Sequence, residues 1–133
     1  MTKLNIALTI AGTDPTGGAG IMADLKSFQA RGVYGMAVVT SVVAQNTLGV
    51  QKIHNVPLDI LDAQLNSVFS DITPNAIKTG MLANVEIMEV VKKYISKDIA
   101  YVVDPVMVAT SGDKLIDSNA RNHLKNEILP LAT

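Results

Sequence analysis

A chain of 133 residues has the length of one ordinary domain, and at that size folding buries roughly two thirds of the surface the unfolded chain exposes. With 48% hydrophobic and 17% charged residues, it carries enough apolar surface to offset its ordering entropy, which excludes disorder as a general account. The 11 basic and 12 acidic residues are well mixed, and a net charge of −1 leaves no electrostatic footprint for nucleic acid.

In chain order, residues 6–10 form a short, wholly apolar run, the pattern of a parallel strand covered on both faces. A glycine-rich segment follows, and the next pattern predicts a helix over 19–30, with Leu25 and Phe28 on one face and Gly32 as its stop. Residues 36–44, rich in β-branched side chains, predict a second buried strand. That stretch is the longest apolar one and is too short for a bilayer, where about 20 residues are needed. Residues 50–56 alternate weakly, as a short extra strand does. Pro57 suits a first helical position, and Leu58, Leu61, Leu65, Val68 and Phe69 trace the stripe of an amphipathic helix.

A third strand is predicted over 76–80. Asn84 then caps a helix with Glu86 in its first turn and Met88, Val91 and Ile95 on its inner face. A fourth strand over 100–103 ends in Asp104-Pro105. The last helix opens at Asp117 or Ser118, runs through Leu124 and Ile128, and is limited by Pro130. Strands alternating with helices imply βαβ units and right-handed crossovers: a single α/β domain over 1–133, with a doubly wound parallel sheet and helices on both faces. The absence of cysteine fits a reducing compartment, and the opening Met-Thr-Lys-Leu-Asn lacks a signal-peptide pattern, so a cytoplasmic, membrane-free location is expected.

In sheets of this class ligands bind beyond the carboxyl ends of the strands. The unusual residues concentrate there, at 12–20, 44–47, 79–81 and 104–112. Gly18-Ala-Gly20-Ile-Met-Ala23 matches G-x-G-x-x-A, which leaves two readings, a dinucleotide loop and a turn that lets helix and strand pack closely. Against the first, Gly18 follows Gly12 by six positions, and no acidic residue stands about 20 positions on to hold a ribose. Gln45 presents both a donor pair and an acceptor, so it can read the edge of an aminopyrimidine or cap the loop backbone. Asp104 either faces magnesium and phosphate or simply ends a strand, and Asp14 and Asp24 carry the same ambiguity. His54 and His123 lack the spacing and the cysteines of a zinc site, and neither a phosphate-binding P-loop nor a G-x-S-x-G elbow occurs.

Six motifs in order, Ala11-Gly-Thr-Asp-Pro-Thr-Gly-Gly-Ala-Gly20, Ala23-Asp-Leu-Lys26, Gly35-Met36, Ala44-Gln-Asn-Thr47, Ile77-Lys-Thr-Gly-Met81 and Asp104-Pro-Val-Met107 with Ser111-Gly112, closely resemble the hydroxymethylpyrimidine/phosphomethylpyrimidine kinases of thiamine biosynthesis. The resemblance spans the chain and implies a ribokinase-like fold, a pyrimidine substrate phosphorylated twice, and ATP with Mg²⁺ as donor. It implies that Gln45 holds the pyrimidine edge, that Gly12, Ala19, Asp24, Met81 and the backbone near Val108 line the pocket, and that Asp104 faces the phosphate and metal region. On that reading the opening glycines let main chain lie against a flat ring. Pyridoxal kinases share the opening loop and the Asp-Pro pair but are not expected to carry Ala-Gln-Asn-Thr.

Two departures stand out. Thr110 occupies a position where relatives often carry lysine, and the family chain is about twice this long. Its second half supplies the glycine-rich anion hole, the residue that activates the alcohol and most of the ATP pocket. The expectation is therefore a truncated ribokinase-like unit that does not turn over alone. It is also expected to self-associate, as a homodimer or otherwise, through an open sheet edge. Two further readings remain, a dinucleotide-binding oxidoreductase fragment and a non-catalytic interaction module.

Overall fold

The computed structural model describes residues 3–133; Met1 and Thr2, which lead into the first predicted strand, lie outside the described residues. Four strands form one parallel sheet: β1 (Ile6–Ala11), β2 (Tyr34–Val39), β5 (Ala76–Thr79) and β6 (Ala100–Val103), in the order β2-β1-β5-β6. Between β2 and β5 in sequence lies an antiparallel hairpin of β3 (Ser41–Asn46) and β4 (Gly49–Asn55). Helices α1 (Gly20–Ala30), α2 (Leu58–Phe69) and α3 (Val85–Lys92) make the crossover connections, α4 (Ser118–His123) follows β6, and a π turn over Leu124–Ile128 and a 3₁₀ turn over Leu129–Leu131 continue α4. Among the described residues no helix is long and apolar enough to cross a membrane.

The strand order puts α1 on one face and α2 and α3 on the other. The chain leaves β1 toward β2 on one side, then returns past β1 to β5 on the opposite side. A right-handed crossover in each direction forces the two connections onto opposite faces. The side chains match. Ala7, Thr9, Gly35, Ala37 and Ala76 fall in register on the α1 face, small enough for the helix to approach closely. A Cβ on Gly35 would come within 2.9 Å of Phe28 and 3.0 Å of Leu25, the two α1 residues that the periodicity turns inward.

Leu8, Ile10, Val38 and Ile77 point the other way, into a core with Leu61 and Leu65 of α2 and Ile87, Met88 and Val91 of α3, all essentially inaccessible to water. Each such side chain contributes roughly 1.5–3 kcal/mol on burial. The one buried phenol, Tyr101, shares a 2.7 Å hydrogen bond with Thr79 Oγ1. Burial pushes its pKa up, and the Thr79 contact offsets part of that.

The helix signals work as chemistry requires. Asn84 accepts from the Ile87 amide (2.9 Å), with Glu86 in the first turn and Lys92 in the last. Asp117 accepts from the Ala120 amide at 2.7 Å and so caps α4. Helix α3 ends at Lys92, so Ile95, expected on its inner face, lies beyond the helix and packs on the core from the following turn.

The sequence predicts one strand over residues 36–44; the structure breaks it at Thr40. Thr40 is fully buried, and three hydrogen bonds hold the bend: its amide donates to the Ala11 carbonyl, its hydroxyl to the Met81 carbonyl at 2.7 Å, and its carbonyl accepts from the Val56 amide. Beyond it the chain leaves the sheet as β3 and returns as β4. The cause is tertiary: β2 stops where β1 stops, and the hairpin rises above the carboxyl ends of the sheet.

Candidate functional site

In the order β2-β1-β5-β6 the connections reverse direction between β1 and β5, and the crevice outside those two carboxyl ends is where α/β sheets bind ligands. A cleft of about 320 Å³ opens there. Its floor is Gly12 and Thr13 after β1 and Gly80 and Met81 after β5, with Asp104 after β6 at the rim. The N-terminus of α1 forms one wall, the hairpin another.

Each wall is pinned to the floor. Thr13 donates its amide to the Ser41 carbonyl at 3.0 Å, and its hydroxyl accepts from the Val43 amide at 2.8 Å, which fastens β3 across the end of β1. Alternation along β3 then turns Ser41, Val43 and Gln45 inward while Val42, Ala44 and Asn46 face solvent. A register shift beside Gln45, where Ala44 pairs with Lys52 but Gln45 with Val50, bends the hairpin at the residue that reaches the cleft. From the other side, the Asp113 carboxylate accepts from the Val50 amide (2.9 Å) and the Ser111 hydroxyl (2.6 Å) and so ties the hairpin to the loop after β6.

Residues 12–19 join β1 to α1 and form the glycine-rich wall. Asp14 organises it. Its side chain is buried, and it accepts from the Thr16 amide and hydroxyl (2.9 and 2.8 Å) and the Gly18 amide (3.2 Å). Burial pushes the Asp14 pKa up, and the hydrogen bonds it accepts, chiefly from Thr16, outweigh it and hold the carboxyl below its ordinary value. Helix α1 starts without a side-chain cap; instead the Ile21 amide donates to the Gly12 carbonyl at 3.0 Å. That approach requires Gly20, at φ +60°, because a Cβ there would collide with the Gly12 carbonyl oxygen. The loop's own geometry thus accounts for Gly20, a reason unlike the ring contact expected from the sequence. Gly12 and Gly18 do line the cleft.

Gly12, Ala19, Asp24, Gln45, Met81 and Asp104 all border this one cleft. Val108 does not; it lies half-exposed in an adjoining depression that shares Ala19 and Gln45 with the cleft. Lys78, which sequence reasoning passed over, also faces in. Its Nζ donates to Asp24 Oδ2 at 2.8 Å, and Thr9 Oγ1 donates to the same oxygen at 2.6 Å. The signal available was the parallel register, which sets Thr9 beside Lys78 on the α1 face. Among the described residues no three histidine, aspartate or glutamate side chains gather as a metal site, and Asp104 stands exposed and alone at the rim.

Comparison with known proteins identifies the family and the fold. Residues 14–133 match the family described as phosphomethylpyrimidine kinase. The hydroxymethylpyrimidine/phosphomethylpyrimidine kinase of Staphylococcus aureus (strain MRSA252) is 61% identical over 134 aligned positions, covering 99% of this chain and 49% of that protein. The crystal structure of phosphomethylpyrimidine kinase from Clostridium difficile 630 superposes with a TM-score of 0.84 at 46% identity, over 96% of this chain and 56% of that one. The pyridoxal kinase of Staphylococcus aureus in complex with AMP-PCP and pyridoxal gives a TM-score of 0.83 at 36% identity, over 98% of this chain and 47% of that one. The chain spans about half the length of the curated relatives it matches. With its parallel sheet, switch-point cleft and six ordered motifs, the chain belongs to the phosphomethylpyrimidine kinase family, on a ribokinase-like fold.

Proposed function

We propose that this chain is the pyrimidine-binding half of an ATP-dependent kinase that phosphorylates 4-amino-5-hydroxymethyl-2-methylpyrimidine and then its monophosphate, in the cytoplasm, for thiamine biosynthesis. The observation that carries this reading is the placement of Gln45, a carboxamide held over the switch-point cleft between apolar Val43 and Met81 and the bare main chain of Gly12 and Gly18. A flat aminated ring needs these surfaces: apolar contact on its faces and paired donor and acceptor at its edge. Asp24, with Oδ2 taken by Thr9 and Lys78, keeps Oδ1 for a ligand donor. Ala19 lines the same cleft, and Val108 belongs to the depression that adjoins it.

Of the two acidic side chains that border the cleft, Asp24 is engaged by Lys78, so Asp104 is the carboxylate that would hold magnesium. One carboxylate suits that ion, which takes most of its other ligands from water and phosphate oxygens. When bound, magnesium offsets charge on the nucleotide phosphates. Phosphoryl transfer depends on in-line positioning and charge neutralisation by many groups, and on this reading the 133 residues bind the ring without turning it over.

Titration calorimetry with hydroxymethylpyrimidine and with pyridoxine tests the assignment. Tighter binding of the pyrimidine is expected. A preference for pyridoxine would establish the second reading, a pyridoxal kinase, which the superposition on that family favours. Gln45→Leu should weaken pyrimidine binding by about 1–3 kcal/mol through unpaired ligand groups; unchanged affinity removes Gln45 from the site. The dinucleotide reading has little support, because residues 12–19 separate β1 from α1 where that fingerprint needs an immediate turn.

A further inference from the structure

Helix α2 turns Leu61, Leu65 and Val68 toward the core, and Gln64 lies on the same flank, three positions after Leu61 and four before Val68. The side chain there is half-buried, and a carboxamide in that place costs stability unless both of its ends are paired. Both are. Gln64 Oε1 accepts from the Val39 amide at 2.9 Å, and Gln64 Nε2 donates to the Val39 carbonyl at 3.0 Å. One side chain thus gives the end of β2 the two hydrogen bonds that a neighbouring strand would give it.

Strand β2 is the outermost at its end of the sheet. Tyr34 and Thr40 donate their amides to the carbonyls of Asn5 and Ala11, so the alternation of a parallel pair turns the main-chain groups of Gly35, Ala37 and Val39 outward. Gly35 and Ala37 have no hydrogen-bond partner on that side among the described residues. Two copies of the chain meeting at this edge about a two-fold axis would run their β2 strands antiparallel. Centred on Ala37, such a pairing sets Ala37 against Ala37 and the Val39 of each copy against Gly35 of the other. Two of those three doubly bonded pairs need Val39, and Gln64 occupies it.

We infer that Gln64 is an edge seal: by pairing with Val39 it denies β2 to the strand of a second copy and confines association of the chain to other surfaces. An exposed strand edge is a template for strand addition, and a short edge is a poor one. With Val39 taken, only Gly35 and Ala37 remain to receive a strand. Neither Val39 nor Gln64 borders the cleft or the depression beside it, so the seal is independent of what the cleft binds and is tested without a ligand.

Two measurements on the 133-residue chain decide the matter. In the unaltered chain, hydrogen exchange read by nuclear magnetic resonance should show the Val39 amide protected about tenfold or more above that of Ala37, its neighbour on the same edge. Equal protection at Val39 and Ala37 overturns the inference. For the second measurement every sample carries Val102→Lys, because Val102 of β6, at the opposite end of the sheet, is 59% exposed and offers a separate route to association. In that background Gln64→Leu, which suits the apolar flank of α2, should dimerise in sedimentation at a concentration about tenfold or more below that of Val102→Lys alone. The amides of Gly35, Ala37 and Val39 should then gain protection together as the second strand adds.

Sedimentation unchanged by Gln64→Leu overturns the inference. So does association that leaves Gly35 and Ala37 unprotected, since its contact then lies elsewhere. Should Gln64→Leu not fold, Gln64→Ser, polar but too short to reach Val39, takes its place under the same two criteria.

Discussion

Lys78 Nζ lies 2.8 Å from Asp24 Oδ2, and Thr9 Oγ1 donates to the same oxygen, so one carboxylate joins α1 to the adjacent strands β1 and β5 beneath the cleft. The two charged side chains are only 20% and 19% exposed. Removing one partner of such a pair strands the other. Lys78→Met is expected to destabilise the chain by about 1–3 kcal/mol, read as a lower urea midpoint at unchanged slope. Adding Asp24→Leu should recover part of the loss, and a double variant no more stable than the single one would exclude the stranded charge as its cause.

Gly20 and Gly32 both adopt positive φ, at +60° and +69°, but a Cβ meets the Gly12 carbonyl at the first and nothing within 4 Å at the second. Gly32→Ala should therefore show only the backbone cost of a left-handed alanine, about 1 kcal/mol. Gly20→Ala should lose at least about 2 kcal/mol more, because the start of α1 must move off the end of β1. Thermal unfolding of the two variants side by side gives the comparison; equal losses would mean that the close approach contributes nothing.

Asp14 makes stability depend on acid. Its folded pKa lies below the ordinary value of 3.8, so its stabilising contribution is full above the unfolded pKa and fades as pH falls through the folded one. Urea midpoints measured from pH 6 downward should drop for the unaltered chain, and the gap between it and Asp14→Asn should narrow below about pH 4. Asp62, Asp113 and Glu127 are also held low, by Tyr94, Ser111 and Lys92 respectively, but both chains share them and they cancel in the difference. A gap that stays constant with pH would remove Asp14 from the acid response.

On the α1 face of the sheet, Val102 of β6 is 59% exposed. The outer edge of β6 takes up Thr133, which donates its amide to the Tyr101 carbonyl at 2.8 Å and accepts from the Tyr101 amide through Oγ1. No further strand pairs with β6 among the described residues. An apolar strand of this kind attracts other chains. Sedimentation is expected to show association that grows with concentration, and Val102→Lys should suppress it. One sharp monomer at all concentrations would refute the expectation.

What the sequence determined by itself is what depends on near neighbours. Short apolar runs marked the strands of the parallel sheet, and the Leu58 to Phe69 stripe marked α2, because a residue's face follows from its spacing along one element. Asn84 and Asp117 were legible as caps because the amide each one satisfies lies three positions away. The cleft's place followed from the same order of elements, since alternating strands and helices put loops with unusual residues at one end of the sheet.

Tertiary structure decided whatever depends on residues distant in sequence. The break at Thr40 is invisible in an unbroken β-branched run; it exists because the Ala11, Val56 and Met81 backbones converge there to satisfy one buried threonine. The Lys78–Asp24 pair, 54 positions apart, needs β1 and β5 side by side. The depression that Asp14 and Gln45 line together needs the hairpin folded over the loop. Local pattern sets which face a side chain takes, whereas a charge or an amide finds its partner only when packing brings separate segments together.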